Sequence, residues 1–312
     1  YALGALAKLQ NAVWEGSLTK ALDGIQIATI LQDLLVNSWN EIPPAETWAT
    51  YNVTETWANA QNIGLGTIDT GEYEMIARSA APVNMYQYVA EIANSGLGYL
   101  YEDANGLISY GDASRRTDYL AANGYIELDA NHAISDGIRA TIRQGDIVND
   151  VVINYKNNFG TSYTFSDQSS IDLFGLYARS INSLIDDNPD AEDVAERFVQ
   201  LRAYPRPKFD SITFAIQNPE LDDTDRDALI NVFMGMPISI QNLPLNINGG
   251  QFQGYVEGWT FRSTLSGLSI TLTVSPTSFS AFAQTWAQVN ASETWSSINS
   301  ILTWQDAIGV IS

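Results

Sequence analysis

From Gly24 to Trp39 apolar residues recur at helical spacing, with Ile27, Ile30, Leu31, Leu34 and Leu35 on one side. Asp23 stands where a capping side chain is wanted, and Pro43-Pro44 stops whatever continues. The pattern predicts an amphipathic helix docked on a core. Before it, Tyr1 to Leu9 is rich in Ala and Leu and reads as helix or as strand. After a polar stretch from Ala45 to Asn62 come a strand near Gly71 to Arg78 and a second helix. Pro82 is placed at the first position of that helix, Met85, Val89 and Ile92 form its stripe, and Gly96 ends it. The period then falls to two. Tyr99-Leu100-Tyr101 and Leu107-Ile108-Ser109-Tyr110 flank Asn105-Gly106, a pair whose tolerance of positive φ favours a tight hairpin.

Beyond Asp112 the alternation persists and predicts a strand-rich half. Val151, Ile153 and Tyr155 share one face of Asp150 to Lys156, with Tyr163 to Ser166 as its partner across Asn157-Asn158-Phe159-Gly160. A third helix is predicted from Pro189 to Arg202. Asp190, Glu192 and Asp193 sit at its positive N-terminal end, and Ala191, Val194, Ala195, Phe198 and Leu201 form the stripe. Strands are then predicted over Ser211 to Ile216, Met236 to Leu243, Tyr255 to Arg262 and Leu268 to Ser275. In the last, Leu268, Ile270, Leu272 and Val274 face one way and Ser or Thr the other, until Pro276 closes it. Helix and hairpin first, then antiparallel strands: the fold class is α+β, not a doubly wound sheet.

One spacing belongs to no regular element. Trp286, Trp295 and Trp304 lie nine residues apart, as do Trp48 and Trp57, and a Thr precedes each of them. Nine residues make two and a half helical turns or an odd number of strand steps, so successive Trp would face opposite ways in either. Short units that each turn back to present one Trp satisfy the spacing. Such an arm can anchor on a partner surface, since Trp offers large contact area with one polar handle. The same Trp can instead pack in the chain's own core, or stack on sugar rings.

Composition then narrows the chemistry. The 312 residues carry 36 acidic and 15 basic side chains, a formal net charge of -21, although charged residues make up only 16% of the chain. That balance argues against nucleic-acid binding and against anionic membrane surfaces, both of which need clustered Lys and Arg. Without cysteine and with the single histidine His132, disulfides, thiolate nucleophiles, zinc-thiolate sites and three-histidine zinc sites are excluded. No apolar run approaches a membrane span. Asp186-Asp187-Asn188-Pro189-Asp190 lacks the sixth-position glycine of a calcium loop and reads as a helix cap, and Leu221 to Asp227 reads as the start of a short exposed helix. His132 lies in a turn-like stretch and is expected at the surface rather than as a base. No catalytic residue, cofactor or metal site is assigned. The chain starts at Tyr1 rather than Met, and the expectation is a piece of a longer protein.

Five stretches in order carry a resemblance. They are Gly98-Tyr99-Leu100-Tyr101-Glu102-Asp103-Ala104-Asn105-Gly106 after its helix; Asn149-Asp150-Val151-Val152-Ile153; Gln168-Ser169-Ser170-Ile171-Asp172-Leu173-Phe174-Gly175; Asp190 to Pro207; and Gly254-Tyr255-Val256-Glu257-Gly258-Trp259 with Leu272-Thr273-Val274-Ser275-Pro276. Together they make Asp69 to Pro276 resemble the minor tail proteins of long-tailed phages of actinobacteria. These form the baseplate, or tail-tip, hub family related to the hub of contractile-tailed phages, in which the stretch resembling Gln168 to Gly175 is a turn. The resemblance implies an α/β hub segment over residues 1–145, lacking an N-terminal barrel. An antiparallel, barrel-like hub domain with a packed helix follows over 146–280, and a Thr-Trp arm over 281–312. It implies a non-enzymatic virion protein at the tail tip, a homo-oligomer of three copies around a central channel. Its partners would be the distal tail protein, the tape-measure protein and the fibre or tip proteins. Trp48, Trp57, Trp286, Trp295 and Trp304 are the expected docking residues. The alternative from another class is a secreted acidic glycan-binding protein or glycoside hydrolase.

Overall fold

In a computed structural model the first helix runs from Asp23 to Asp33, with Ile27, Ile30 and Leu31 fully buried. The residues described are 5–33, 65–103, 106–134, 140–142, 144–156, 160–205, 207–209, 211–245, 250–265 and 267–277. The predicted end of this helix at Trp39 lies outside them. The chain forms two compact units, each built from separate stretches. One comprises Tyr1–Ala113, Val151–Phe165 and Arg179–Glu196; the other comprises Ser114–Asp150, Ser166–Ala178 and Arg197–Ser312.

In the first unit, Ala5–Leu9 is a short helix, which resolves the ambiguity at the start of the chain. The second helix is Met85–Ser95, and it begins later than Pro82. Asn84 is the cap: its side-chain oxygen accepts from Gln87 N–H at 3.0 Å, and Val83–Asn84 pairs antiparallel with Val13–Trp14. A side chain that satisfies an orphan helix donor outweighs proline's preference for the first turn. Met85, Val89 and Ile92 are buried as the stripe requires. The strand expected over Gly71 to Arg78 contracts to Glu74–Met75, because its partner Ala21–Leu22 is equally short. The two strands of the hairpin pair as read, Tyr99–Glu102 antiparallel with Ile108–Gly111, and Gly106 takes a positive φ of 76°, while Asn105 lies outside the described residues; Leu65–Ile68 adds a parallel third strand. Asp150–Tyr155, with Val151, Ile153 and Tyr155 buried, lies between Thr161–Ser166 and Ala178–Asn182. The helix Asn188–Arg202 buries Ala191, Val194 and Ala195 in its part up to Glu196, which belongs to this unit; Phe198 and Leu201, assigned to the second unit, are buried as well.

The second unit is organised by a five-stranded sheet in the order Ser211–Ala215, Gly267–Pro276, Phe252–Thr264, Pro237–Gln241, Ile126–Asp129. The pairs are antiparallel except the last, which is parallel. Ile212, Phe214, Ile238, Ile240, Ile270 and Leu272 fill one core, all fully buried. The two outer strands approach each other beyond the ladder. Ala133 bridges Phe214, and Ile134 N–H donates to Thr213 O at 2.8 Å. Among the described residues this is a curled open sheet tied at its ends, and no ladder closes into a barrel. Two helices beyond those read from the sequence interrupt the strand-rich half, Arg115–Asn123 and Gln168–Phe174. The second replaces the turn expected there, because Asp167 caps Ser170 N–H at 3.0 Å and starts a helix. Asp222 likewise caps Asp225 N–H at 2.7 Å, opening the exposed helix Asp223–Ile230 read from its acidic start.

Candidate functional site

The most perturbed carboxyl is Asp23, the first residue of its helix and fully buried. Its Oδ1 accepts from Tyr73 N–H at 3.2 Å, and its Oδ2 accepts a short hydrogen bond from the Tyr110 hydroxyl. Glycines crowd it. A Cβ on Gly71 would lie 1.9 Å from Asp23 Oδ1, one on Gly96 2.4 Å from Oδ2, and one on Gly98 2.3 Å from the Tyr110 hydroxyl. Burial pushes the carboxyl up to about 6, against the opposing pull of the Tyr110 and Tyr73 hydrogen bonds, and the charge of Asp112 adds to the rise. Burial and the adjacent Asp23 push the Tyr110 hydroxyl upward as well. A perturbed carboxyl in a cleft would be a catalytic candidate. This one is sealed by backbone and packs as a clamp.

Around the start of Asn188–Arg202 the carboxylates are occupied by protein donors. Asp190 Oδ2 accepts from Glu74 N–H at 2.7 Å, Asp193 accepts from the Tyr73 hydroxyl at 2.7 Å, and Asp187 accepts from Asp190 N–H at 3.1 Å. Lys20 Nζ lies between Asp186 at 2.8 Å and Glu74 at 2.9 Å, and hydrogen bonding to these two raises its pKa. The stretch weighed as a calcium loop is a helix start whose acids cap backbone. No group of three or more His, Asp or Glu among the described residues gathers to hold a metal ion.

In the second unit a polar network spans helix and sheet. Arg116, in Arg115–Asn123, donates to both oxygens of Glu257 at 2.6 and 2.8 Å, and Ser275 Oγ donates to Glu257 Oε1 at 2.5 Å. The guanidinium lies 5.7 Å from the Tyr255 ring centre. Glu257 is the extra residue of a bulge, since Val256 pairs with Val274 and Gly258 with Thr273. A bulge re-aims one side chain, and here it presents the carboxylate to the helix. The pair is only partly exposed, 11% for Arg116 and 29% for Glu257. Replacing Arg116 by Ala should therefore cost about 2–3 kcal/mol, somewhat under the range for fully buried pairs, because Glu257 keeps only Ser275. Urea unfolding of the variant checks it; a loss no larger than that of an exposed ion pair would contradict it. Sequence reading missed this pair. The available signal was a lone acid between Val256 and Gly258-Trp259, which interrupts a period-two strand.

His132 sits in the single turn Ala130–His132, partly exposed, with Nδ1 4.0 Å from Asp225 Oδ2. Burial raises the Asp225 carboxyl and the charge of Asp222 adds to the rise, while His132 opposes it. No hydrogen bond joins the two side chains, and among the described residues His132 Nδ1 is buried without a hydrogen-bond partner.

The apolar exposure worth noting lies on the hairpin formed by Phe252–Thr264 and Gly267–Pro276. Phe261 is 42% exposed, and Leu265 at the tip is fully exposed. The five Trp read as docking residues, Trp48, Trp57, Trp286, Trp295 and Trp304, all lie outside the described residues.

No family model matches the chain, and no curated protein is similar to it. Among solved structures, the tail protein from Neisseria meningitidis MC58 superposes with a TM-score of 0.50 at 13% identity, covering 86% of this chain and 72% of that one. The chain shares its fold with a tail protein. Two further matches score lower. The prophage MuSo2 43 kDa tail protein from Shewanella oneidensis has TM-score 0.46 and 11% identity, over 69% of this chain and 60% of that one. The prophage tail protein gp18 from Listeria monocytogenes EGD-e has TM-score 0.43 and 10% identity, over 85% and 69%. The resemblance drawn from the five ordered stretches thus meets a tail-protein fold reached independently of sequence identity.

Proposed function

We propose that the chain is a structural subunit of a phage tail, and within the tail a hub subunit of the kind found in actinobacterial long-tailed phages. The observation that carries the reading is the tail-protein fold over 86% of the chain, at an identity too low for sequence alone to produce the match. The order of the five motifs supports the finer assignment. Three copies would surround a central channel at the tail tip, joined to the distal tail protein, the tape-measure protein and the fibre or tip proteins. In each copy the curled sheet, tied through Ala133 and Phe214, would serve as the barrel-like body. The antiparallel domain over 146–280 would end in a Thr-Trp arm whose Trp286, Trp295 and Trp304 dock on a neighbour, with Trp48 and Trp57 in a second docking stretch. With a net charge of -21, a channel lining drawn from this chain would repel DNA and let it pass without sticking.

The role is structural, and the proposal assigns no catalytic residue. Immunogold labelling of assembled particles should place the chain at the tail tip. Label on the head, or a chain absent from the particle, refutes the reading. Wall-polysaccharide hydrolysis that is lost on changing one Asp or Glu pair would favour the glycoside-hydrolase alternative instead.

A further inference from the structure

The longest strand of the sheet has a described neighbour on one side only for half its length. Phe252–Thr264 pairs with Gly267–Pro276 from Gly254 to Thr264, whereas Pro237–Gln241 reaches only Phe252 to Tyr255 on the other side. That second ladder ends with Val256 N–H donating to Met236 O at 3.0 Å and Gly235 N–H to Val256 O at 2.8 Å. Along residues 258–263 no described strand follows it. Trp259 and Phe261 stand opposite Leu272 and Ile270, and so share the core face of the sheet. Trp259 packs against that core, while Phe261 remains 42% exposed and Leu265 lies beyond it at the tip. Thr260 and Arg262 occupy the other face. A row of backbone donors and acceptors beside an apolar strip is a template for strand addition. Protected edges carry charges or proline; this one carries a single charge, Arg262.

We propose that this edge is completed by a strand from residues 278–312, the chain's own C-terminal segment. Three observations select that occupant. The described chain ends at Thr277, which is buried and lies 3.3 Å from the Tyr125 hydroxyl. The segment therefore departs from the strand that already pairs with Phe252–Thr264. Extended chain advances about 3.3 Å per residue, so even its first dozen residues can cross to the open edge. Charge is the third. Residues 258–312 contain three charged side chains, Arg262, Glu293 and Asp306, in a protein whose net charge is -21. With so few charges to desolvate, the segment can lie against an apolar edge. A Thr-Trp unit laid along the edge would set Trp beside Phe261 and Thr beside Thr260 and Arg262, an aromatic pair on one face and a polar pair on the other. The inference rests on reading the Thr-Trp arm as a docking element: one unit lies on the chain's own sheet and leaves the others for a neighbour; it does not depend on the tail role.

The absence of cysteine allows a clean test in the full chain. Thr260→Cys or Arg262→Cys is combined in turn with Thr285→Cys, Thr294→Cys or Thr303→Cys, and the chain is oxidised mildly. Paired strands bring such residues within disulfide reach, which requires Cα atoms about 4.4–6.8 Å apart. At least one tail position should form a disulfide with the edge within one chain; disulfides formed only between copies overturn the assignment. The yield should exceed several-fold that of a Glu220→Cys control on the exposed loop, and Phe261→Asp should lower it. Hydrogen exchange on the unsubstituted chain should show protection of those amides of residues 258–263 that point away from Gly267–Pro276, in addition to the alternate ones already bonded to it. Crosslinking no better than the control, or outward-pointing amides that exchange freely, overturns the inference. Particle labelling is a separate measurement, so either conclusion can fail without the other.

Discussion

Truncating Phe214 to alanine should lower the stability of the sheet-bearing unit by about 4 kcal/mol, within the range for removing a buried phenylalanine. Phe214 is fully buried in Ser211–Ala215, pairs with Ile270 on one side and bridges Ala133 on the other. It sits where the two outer strands approach, so collapse around the cavity would have to loosen that tie as well. The other core residues, Ile212, Ile238, Ile240 and Leu272, are fully buried and converge on the same space. Urea unfolding followed by circular dichroism reads the loss. A change under about 1 kcal/mol, the cost of a mild core swap, would mean that the sheet does not close around this side chain.

Lowering the pH from 7.5 to 4.5 should stabilise the other unit through Asp23. Burial holds this carboxyl at about 6, against 3.8 for the unperturbed group. Between those values the folded chain keeps a proton that the unfolded chain has released. The stabilisation is therefore fully present below pH 3.8 and lost as the pH rises to about 6. A difference of that size corresponds to about 3 kcal/mol. The remaining acids of this strongly acidic chain also repel less at low pH, so the comparison is with Asp23→Asn. Asparagine keeps the volume and can still accept from Tyr73 N–H, while the Tyr110 hydroxyl turns to accept from the new amide. The variant should match or exceed the native stability at pH 7.5 and lose the part of the slope between pH 4 and 6. If its urea midpoint follows the native pH dependence, Asp23 is not the group responsible. Asp23→Ala should be strongly destabilising at both pH values, since it leaves two buried donors unmet.

How the fold was legible follows from which signals are local. Leu268, Ile270, Leu272 and Val274 alternate within ten residues, and the strand Gly267–Pro276 forms over them. Ala191, Val194, Ala195, Phe198 and Leu201 repeat over little more than three turns, and the helix covers the same span. Where the reading erred, a side chain competed with the periodic pattern. Asn84 moved a helix start past Pro82, and Asp167 began a helix where a turn was expected. Both are capping bonds across three residues, visible as Asx side chains yet undecided until the backbone turns toward them.

The amino-acid order by itself determined the class of the molecule: an acidic, cysteine-free α+β chain whose strands, helices and hairpin are written in periods of two and 3.6. It did so because period, capping chemistry and turn preference act over a few residues. The pairing of Asp23 with Tyr110, 87 positions away, and of Arg116 with Glu257, 141 positions away, was decided only by tertiary structure. So were the strand order, the tie between Ala133 and Phe214, and the edge along residues 258–263 that no described strand follows. Each of these depends on which distant surfaces share a core, and no local pattern encodes which partner will arrive.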